Sequence, residues 1–258
     1  MSRRTFVAAT ALATAATTVV GAAAEAGAAE SKTVLRMGTG KAAFTPAASI
    51  LPLDTFTSVH DDLYVRVLLV ESGSRGFALA VLDLTSISAE AIALMRTAIT
   101  AATGIASADI LVTVTHCFSA PHVAASTSSA GAAAYVQSIA AATETVVADA
   151  VKNLQDAQVG YGSGSADVNV NRNVRTADGY WLGVNEQGIS DDGVYVARFN
   201  DLDGNPIAVL ANYNVQSCVM QDSKMADGNL PITADLAGAA VAHVEGQYIS
   251  EAPHGTRM

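Results

Sequence analysis

The alternation of apolar and polar positions in the first half of the chain predicts a β-hairpin followed by a helix. Residues 63–71, with the sequence LYVRVLLVE, are rich in Val, Leu and Tyr, which is typical of a β-strand. A turn of Ser, Gly and Arg follows, and residues 77–84 form the predicted partner strand. In Ala89–Thr103 the apolar side chains recur at helical spacing, and Gly104 ends the predicted helix.

Apolar runs further along the chain predict more strands and two more helices. The predicted strands cover residues 110–115, 158–162, 194–199 and 206–213, and the last two form a second hairpin. The predicted helices cover residues 133–154 and 233–248, with Thr233 as an N-cap candidate. Hairpins combined with crossover helices predict an α/β fold in which mixed β-sheets are layered with α-helices.

Composition and charge narrow the classes of function. The chain has 258 residues, of which 50% are hydrophobic, and this is enough for one globular domain with a sizeable core. The formal net charge is -10 and the basic residues do not cluster, which excludes binding to the phosphate backbone of nucleic acids. An acidic surface is also a poor match for anionic membranes, although it keeps an exported protein soluble.

The N-terminal 29 residues have the features of a twin-arginine signal peptide. Arg3 and Arg4 precede a weakly apolar run of Ala, Thr and Val, and small residues crowd positions 22–29, as a signal-peptidase site requires. A membrane anchor or a disordered Ala-rich tail is the alternative, but the run is too weakly apolar for a good membrane span. We therefore predict an exported protein, periplasmic or secreted, with its mature domain at residues 30–258.

Polar side chains that could form a site follow the predicted strands. His116 comes directly after one strand and could bind a metal through its imidazole, with a hydrogen-bonded structural histidine as the alternative. Ser119 and His122 lie in the long loop that follows, where a solvated histidine is the ordinary interpretation. Asn212 and Gln216 lie at the end of another strand, where amide groups orient a substrate, ligate a hard metal, or satisfy backbone groups at a turn.

Acidic residues and a serine between two histidines are further candidates for functional side chains. Asp61 or Asp62 could orient a histidine or lie in a solvated turn, and Asp235 is a capping or supporting residue of the last helix. A nucleophilic triad is the competing mechanism because Ser119 lies between two histidines, but no G-x-S-x-G elbow surrounds it. The chain contains no P-loop, dinucleotide fingerprint or C-x-x-C pair, so residue spacing alone gives no mechanism.

Several short segments occur in a fixed order along the chain, and the ordered set resembles the N-terminal domain of the neutral/alkaline non-lysosomal ceramidases. Asn171 and Arg172 resemble the I-N-R element of that family. Five longer segments resemble G-x-A-D-I-T-P (residues 40–46), H-D-P-L-Y-A-R (59–66), T-H-T-H-S-G-P (115–121), N-Y-A-C-H-P-T-V (212–219) and I-S-A-D-Y-P-G (232–238). Each piece is weak by itself, whereas the ordered set over residues 38–248 is specific.

The resemblance implies zinc-dependent amide hydrolysis, because in that family a zinc ion activates a water that attacks the amide carbonyl of an N-acyl sphingoid lipid. The first His of T-H-T-H is a zinc ligand and corresponds to His116, and the second lies by the active site and is Phe118 here. The His of H-P-T is another zinc ligand and is Gln216 here, whose carbonyl oxygen is a much poorer ligand. The remaining family ligands, a Glu and a Tyr, lie further downstream in the family's sequence.

We therefore expect a ceramidase-like, metal-dependent amidohydrolase that acts on N-acyl sphingoid lipids or a related amide. His116 would hold zinc and serve catalysis together with Gln216, and Arg172, Ser119 and Asn212 would bind the substrate. The expected partners are a lipid or other N-acyl amide, with peripheral contact to a membrane.

Three alternatives stay open. The chain could be a non-catalytic exported protein that binds lipid or carbohydrate and kept the scaffold while losing the zinc. It could also be a fragment whose missing C-terminal portion supplies metal ligands. Cys117 could provide a replacement thiolate ligand, or it could be an ordinary buried thiol or pair with Cys218 in an oxidising compartment.

Overall fold

The computed structural model describes residues 34–251 of the chain, with side chains described for residues 34–248, and the predicted signal segment lies outside this range. The strands are β1 (Leu35–Ala43), β2 (Ser58–Val59), β3 (Tyr64–Ser72), β4 (Arg75–Leu82), β5 (Ile110–Val114), β6 (Gln155–Ser165), β7 (Asn171–Thr176), β8 (Gly179–Asn185), β9 (Gly193–Asn200), β10 (Pro206–Tyr213) and β11 (Pro231–Ile232). The α-helices are α1 (Ala89–Thr103), α2 (Ala130–Lys152) and α3 (Asp235–Glu251).

The main sheet has seven strands in the order β10-β9-β6-β1-β3-β4-β5. All neighbouring strands are antiparallel except β4 and β5, which are parallel and are connected through α1. Two smaller pairs accompany the sheet, namely the parallel pair β2–β11 and the antiparallel hairpin β7–β8. The predicted α/β fold with mixed strand directions and helical layers is confirmed.

Helices α1 and α2 cover one face of the sheet and enclose the core with β1, β3 and β4. Ser88 and Ser129 cap these helices by accepting hydrogen bonds from backbone N–H groups of the first turn. Gly38 and Gly40 of β1 allow α2 to approach closely, because a Cβ at these positions would lie 2.0 Å and 2.1 Å from carbonyl oxygens of α2. The helix therefore packs directly on the backbone of β1.

Helix α3 is tied to the opposite face of the sheet by an ion-pair cluster. Glu245 of α3 accepts from Lys41 Nζ at 2.6 Å and from Arg66 Nε at 3.1 Å, and Arg66 also pairs with the buried carboxylate of Asp83 at 3.0 Å. Burial raises the pKa of Asp83, and the charge of Arg66 opposes this increase. The cluster fixes α3 relative to β1 and β3, and this in turn positions the loop that leads into α3.

The local pattern predicted most elements but missed those whose stability depends on distant partners. Helix α1 and the β3–β4 and β9–β10 hairpins are confirmed, and Gly104 has the left-handed conformation (φ 74°) expected after a helix. Helix α2 begins at Ala130 rather than at residue 133 because Ser129 caps it there. Strand β1 and the β7–β8 hairpin were not predicted, since β1 contains two glycines next to the polar residues Thr39 and Lys41, and β7 is polar.

Candidate functional site

The loop after β5 carries His116 and is held on both sides by backbone hydrogen bonds. Cys117 N–H donates to the carbonyl of Leu84 at 3.1 Å, which fixes the loop to the end of β4. Phe118 N–H donates to the carbonyl of Ser217 at 2.9 Å, and this bond brings the loop after β5 against the loop after β10. The two strand-end segments that the sequence marks as site candidates are therefore neighbours.

His116 lies at the surface of this junction in a defined orientation. Its backbone is left-handed (φ 55°), and its Nδ1 is 2.8 Å from the carbonyl oxygen of Thr85. Because a carbonyl oxygen only accepts, Nδ1 carries the proton, and in the neutral ring Nε2 keeps a lone pair for a ligand. The ring also packs edge-on against Phe118 with centroids 5.1 Å apart, which further restricts its rotation.

Thr85 fixes this loop from its buried side, and no pattern in the sequence indicated this role. Its hydroxyl contacts the carbonyl oxygens of Cys117 and Ala120, and its own carbonyl accepts from His116. The side chain is buried, with 3% exposure. The sequence gives no signal for this role beyond the position of Thr85 just after the strand that ends at Leu82.

Asp235 joins three segments that are far apart in the sequence. Its carboxylate accepts from the hydroxyl of Ser119 at 3.0 Å and from the backbone N–H groups of Val219 and Met220 at 3.1 Å and 2.8 Å. It also accepts from the N–H of Leu236 in the first turn of α3. Asp235 therefore connects the loop after β5, the loop after β10 and the start of α3, which agrees with a capping and supporting role.

Asp61 and Asp62 accept hydrogen bonds from partners other than a histidine, so the alternative in which one of them orients a histidine is not realised. Asp61 accepts from the hydroxyl of Thr233 at 2.5 Å and from the N–H of Ala234 at 2.7 Å, and Asp62 accepts from the hydroxyl of Thr45. The ring of His116 is oriented instead by the backbone carbonyl of Thr85. Asp61 instead fixes the segment that leads into α3.

The residues predicted to bind substrate are not brought together. Ser119 is 1% exposed and donates its hydroxyl to Asp235, so it supports the loops rather than facing a ligand. Arg172 lies on β7 and donates from Nε to the carbonyl of Gly183 across the β7–β8 hairpin. Asn212 is exposed on β10, and Gln216 is exposed in the loop that contacts Phe118. Of the predicted site residues, His116 and Gln216 thus lie in two loops that a backbone hydrogen bond joins.

Tyr213 connects the β7–β8 hairpin region to this site, and it is the tyrosine of the segment that resembles N-Y-A-C-H-P-T-V. Its hydroxyl accepts from the N–H groups of Val168 and Asn169 at 3.2 Å and contacts the carbonyl of Ala166 at 2.8 Å. The side chain of Asn169 also donates to the carbonyl of Asn214 at 3.0 Å. The segment before β7 is therefore anchored beside the loop that carries Gln216.

Both cysteines are free thiols, so the disulfide alternative is not realised. Cys117 is buried and donates from Sγ to the carbonyl of Thr233 at 3.2 Å. Burial raises the pKa of Cys117 to about 12, and the nearby charge of Asp235 acts in the same direction. In the absence of a metal, a thiol held in this way stays protonated at neutral pH, and a role for Cys117 as a thiolate ligand would require a bound metal to displace this proton.

Comparison with solved structures identifies the architecture. The neutral ceramidase from Pseudomonas aeruginosa superposes with a TM-score of 0.65 at 20% sequence identity, over 84% of this chain and 36% of the ceramidase chain. A ceramidase complexed with C2 gives a TM-score of 0.64 at 22% identity, with the same coverage of both chains.

The fold is ceramidase-like. The ceramidase-like chain spans about 36% of the length of the two ceramidases, and the likeness at this identity is one of fold. No model of a known protein family and no curated protein sequence matches the chain.

The donors of this ceramidase-like chain do not complete a zinc site within the part that the structure describes. A catalytic zinc takes about three protein ligands. Residues 34–251 contain no group of three or more His, Cys, Asp or Glu side chains that could hold a metal. His116 offers one nitrogen, Gln216 replaces an imidazole with an amide, and Cys117 is a protonated donor. We therefore assign no step of a reaction to a zinc ion.

Proposed function

We propose that the chain is a ceramidase-like amide hydrolase that acts on N-acyl sphingoid lipids or a related amide. One observation carries the proposal: on a ceramidase-like fold, the loop bearing His116 meets the loop bearing Gln216 through the bond from Phe118 to Ser217. The fixed orientation of the His116 ring through Nδ1 supports a role for its Nε2 toward a ligand.

Zinc enters this proposal through His116. Since the described residues form no group of three or more metal-binding side chains, a zinc at His116 would need donors beyond the described residues. The contribution of this chain is then to hold the imidazole in place, through Thr85 and Phe118, and to hold the loop that bears Gln216 against the loop that bears His116.

The test is the zinc content of the purified protein together with release of fatty acid from a short-chain ceramide in detergent micelles. We expect zinc and hydrolysis in the wild type, and loss of both in His116→Ala. His60→Ala is the matched control, because His60 is also exposed and its backbone N–H bonds to the carbonyl of Ile232 irrespective of its side chain. Absence of zinc and of hydrolysis in the wild type, even after zinc is added, would refute the hydrolase.

The second candidate is a non-catalytic exported protein that binds lipid or carbohydrate. The specific observation that favours it is the pair of residues Phe118 and Gln216 beside His116, since neither transfers a proton and an amide oxygen ligates zinc poorly. This candidate predicts that ceramide in micelles binds without release of fatty acid and that added zinc does not change the affinity.

We also propose that the β7–β8 hairpin contacts a neutral, zwitterionic lipid surface. Tyr180, Trp181 and Leu182 are consecutive on β8 and are 72%, 64% and 77% exposed, so apolar side chains extend from both faces of the strand. Trp and Tyr favour the lipid–water interface. The net charge of -10 argues against an anionic surface. No helix within residues 34–251 is long and apolar enough to cross a membrane.

Trp181 is the chain's single tryptophan, so its fluorescence reports on the hairpin directly. We expect a blue shift when vesicles of phosphatidylcholine are added, and a smaller shift in Leu182→Ser. An emission spectrum that does not change at any vesicle concentration would refute the lipid contact.

Export through the twin-arginine route stays a proposal, supported by Arg3, Arg4 and the small residues at positions 22–29. N-terminal sequencing of protein recovered from the periplasm or the medium should start at Glu30. Protein that retains Arg3 and Arg4 in the cytoplasm would refute it.

A further inference from the structure

An open pocket lies on the β7–β8 hairpin, and no residue of the loops that bear His116 and Gln216 lines it. Its volume is about 590 Å³, within the range of about 300–1,000 Å³ that small-molecule sites occupy. None of the lining side chains carries a charge, which favours a neutral polar ligand over an ion. The lining residues are Asn171, Asn173, Tyr180, Asn185, Gly188 and Ile189.

Hydrogen bonds and a close backbone approach hold one wall of this pocket in place. Asn171 donates from Nδ2 to the carbonyl of Ile189 at 2.8 Å, and its Oδ1 accepts from the N–H of Asn173 at 2.9 Å. The N–H of Gly188 donates to the carbonyl of Asn185 at 2.9 Å, which closes the turn after β8. A Cβ at Gly188 would lie 2.5 Å from Cγ of Asn171 and 2.8 Å from Nδ2 of Asn185, so only glycine lets the turn lie against these amides.

Other polar groups of the pocket are left for a ligand. The side-chain amide of Asn173 and the hydroxyl of Tyr180 make no hydrogen bond within residues 34–248. Asn185 donates from Nδ2 to the carbonyl of Asn173 at 2.9 Å, and its Oδ1 remains an acceptor. Because a free amide and a phenol hydroxyl both donate and accept, these groups match ligand hydroxyls, which also do both.

The aromatic ring of Tyr180 lies on the same face of the hairpin as the free amide of Asn173. The register pairs Asn173 with Leu182 and Arg175 with Tyr180, so these four residues share one face, and Trp181 extends from the other. Tyr180 and Ile189 are 72% and 93% exposed although both are largely apolar. A sugar ring has C–H groups on its face and hydroxyls around its rim, so an exposed aromatic ring beside amides suits it on both counts.

We propose that this pocket binds a neutral hexose, with the face of the sugar against Tyr180 and Ile189 and its hydroxyls bonded to Asn173 and Asn185. The sugar is a free glycan or the headgroup of a glycolipid, and both present the same chemistry to the pocket. Binding requires neither His116 nor zinc, so the site is independent of the proposed amide hydrolase. It is also compatible with lipid contact through Trp181, which lies on the opposite face of β8.

The test is a titration of the ¹⁵N-labelled full-length protein with lactose, a neutral disaccharide, followed by NMR. We expect saturable shifts of the side-chain amide resonances of Asn173 and Asn185, with a dissociation constant on the order of millimolar for so small a ligand. Tyr180→Ala should weaken binding at least about tenfold, because it removes the aromatic surface. Asn173→Ala should weaken it at least about threefold, because it removes hydrogen bonds to the sugar. Tyr161→Ala is the control, because Tyr161 is 79% exposed on β6 outside the pocket.

Both pocket variants should fold, because Asn173 and Tyr180 are exposed. Circular dichroism checks this. Lactose binding that is unchanged in His116→Ala would confirm that the pocket is independent of the hydrolase site.

Vesicles distinguish the two sources of the sugar. Monogalactosyldiacylglycerol carries a hexose but no amide, so an amide hydrolase site does not account for its binding. If the sugar is a lipid headgroup, adding this lipid to phosphatidylcholine vesicles should increase the bound fraction of wild-type protein at least about threefold, and not that of Asn173→Ala. Lactose binding without this gain assigns the pocket to a free glycan. Absence of both lactose binding and the gain, or equal lactose affinity in the wild type and both pocket variants, would overturn the proposal.

Discussion

Asp235→Asn tests whether one buried carboxylate holds together the loops that carry His116 and Gln216. Asp235 is 7% exposed and accepts four hydrogen bonds, from Ser119, Val219, Met220 and Leu236. An asparagine has the same shape and also tolerates the left-handed backbone found here (φ 52°). The substitution therefore changes hydrogen bonding without adding backbone strain.

The size of the effect follows from the geometry of the carboxylate. Ser119 and Met220 donate to Oδ2, and Val219 and Leu236 donate to Oδ1. If the NH₂ group of an asparagine takes the place of Oδ2, the Ser119 hydroxyl can turn to accept from it but the N–H of Met220 loses its acceptor, so at least one hydrogen bond is lost. Each bond to a charged group contributes about 1.5–3 kcal/mol, so we expect the free energy of unfolding to fall by at least about 1.5–3 kcal/mol.

Chemical denaturation followed by circular dichroism measures this change, and in thermal melts the Tm should fall by roughly 3 °C or more, at about 2–4 °C per kcal/mol for a domain of this size. Asp62→Asn is the matched control, because Asp62 is exposed and accepts from the hydroxyl of Thr45, and its loss should cost less than about 1 kcal/mol. If the two variants lose the same small amount of stability, the Asp235 network does not hold these loops.

Three other predictions concern packing, thiol reactivity and pH. Gly40→Ala should lower the free energy of unfolding by about 3 kcal/mol in urea denaturation, because its Cβ would lie 2.1 Å from a carbonyl oxygen of α2. Gly160→Ala is the control and should not lower it, because the space at its Cβ is open. Similar losses of stability in the two variants would contradict the close packing of α2 on β1. In native protein at pH 8, Ellman's reagent should modify Cys218 and leave Cys117 unmodified, because Cys117 is buried and its pKa is raised to about 12. Rapid reaction of both thiols would show that Cys117 is not a buried, protonated thiol. Burial opposes ionisation of Glu245, but its bonds to the cationic side chains of Lys41 and Arg66 lower its pKa overall. Glu245→Gln should therefore lower the free energy of unfolding by no more than about 1 kcal/mol near pH 7, and this difference from the wild type should vanish as the pH falls through the lowered pKa. An equal loss at pH 7 and pH 3 would show that the charge of Glu245 is not responsible.

The elements that are stabilised by their own sequence were predictable. Helix α1 has an apolar stripe, a serine cap and a terminal glycine, all of which lie within the continuous segment of residues 88–104. The β3–β4 and β9–β10 hairpins likewise combine apolar strands with local turns. His116 and Gln216 could be selected because each follows such a strand, and strand ends are common places for functional side chains.

The tertiary structure decided which of these residues meet and what state they are in. The glycines of β1 indicate a loop in the local pattern, yet they permit the contact with α2 that makes β1 the central strand. Asp235 and Ser119 are 116 residues apart, and no local periodicity encodes their hydrogen bond. Burial, which depends on the whole fold, makes Cys117 a protonated thiol and leaves the hydroxyl of Tyr135 without a partner. The sequence by itself thus determined the elements and the positions of the candidate residues, whereas long-range packing determined their partners and protonation, because both depend on contacts between segments distant in the chain.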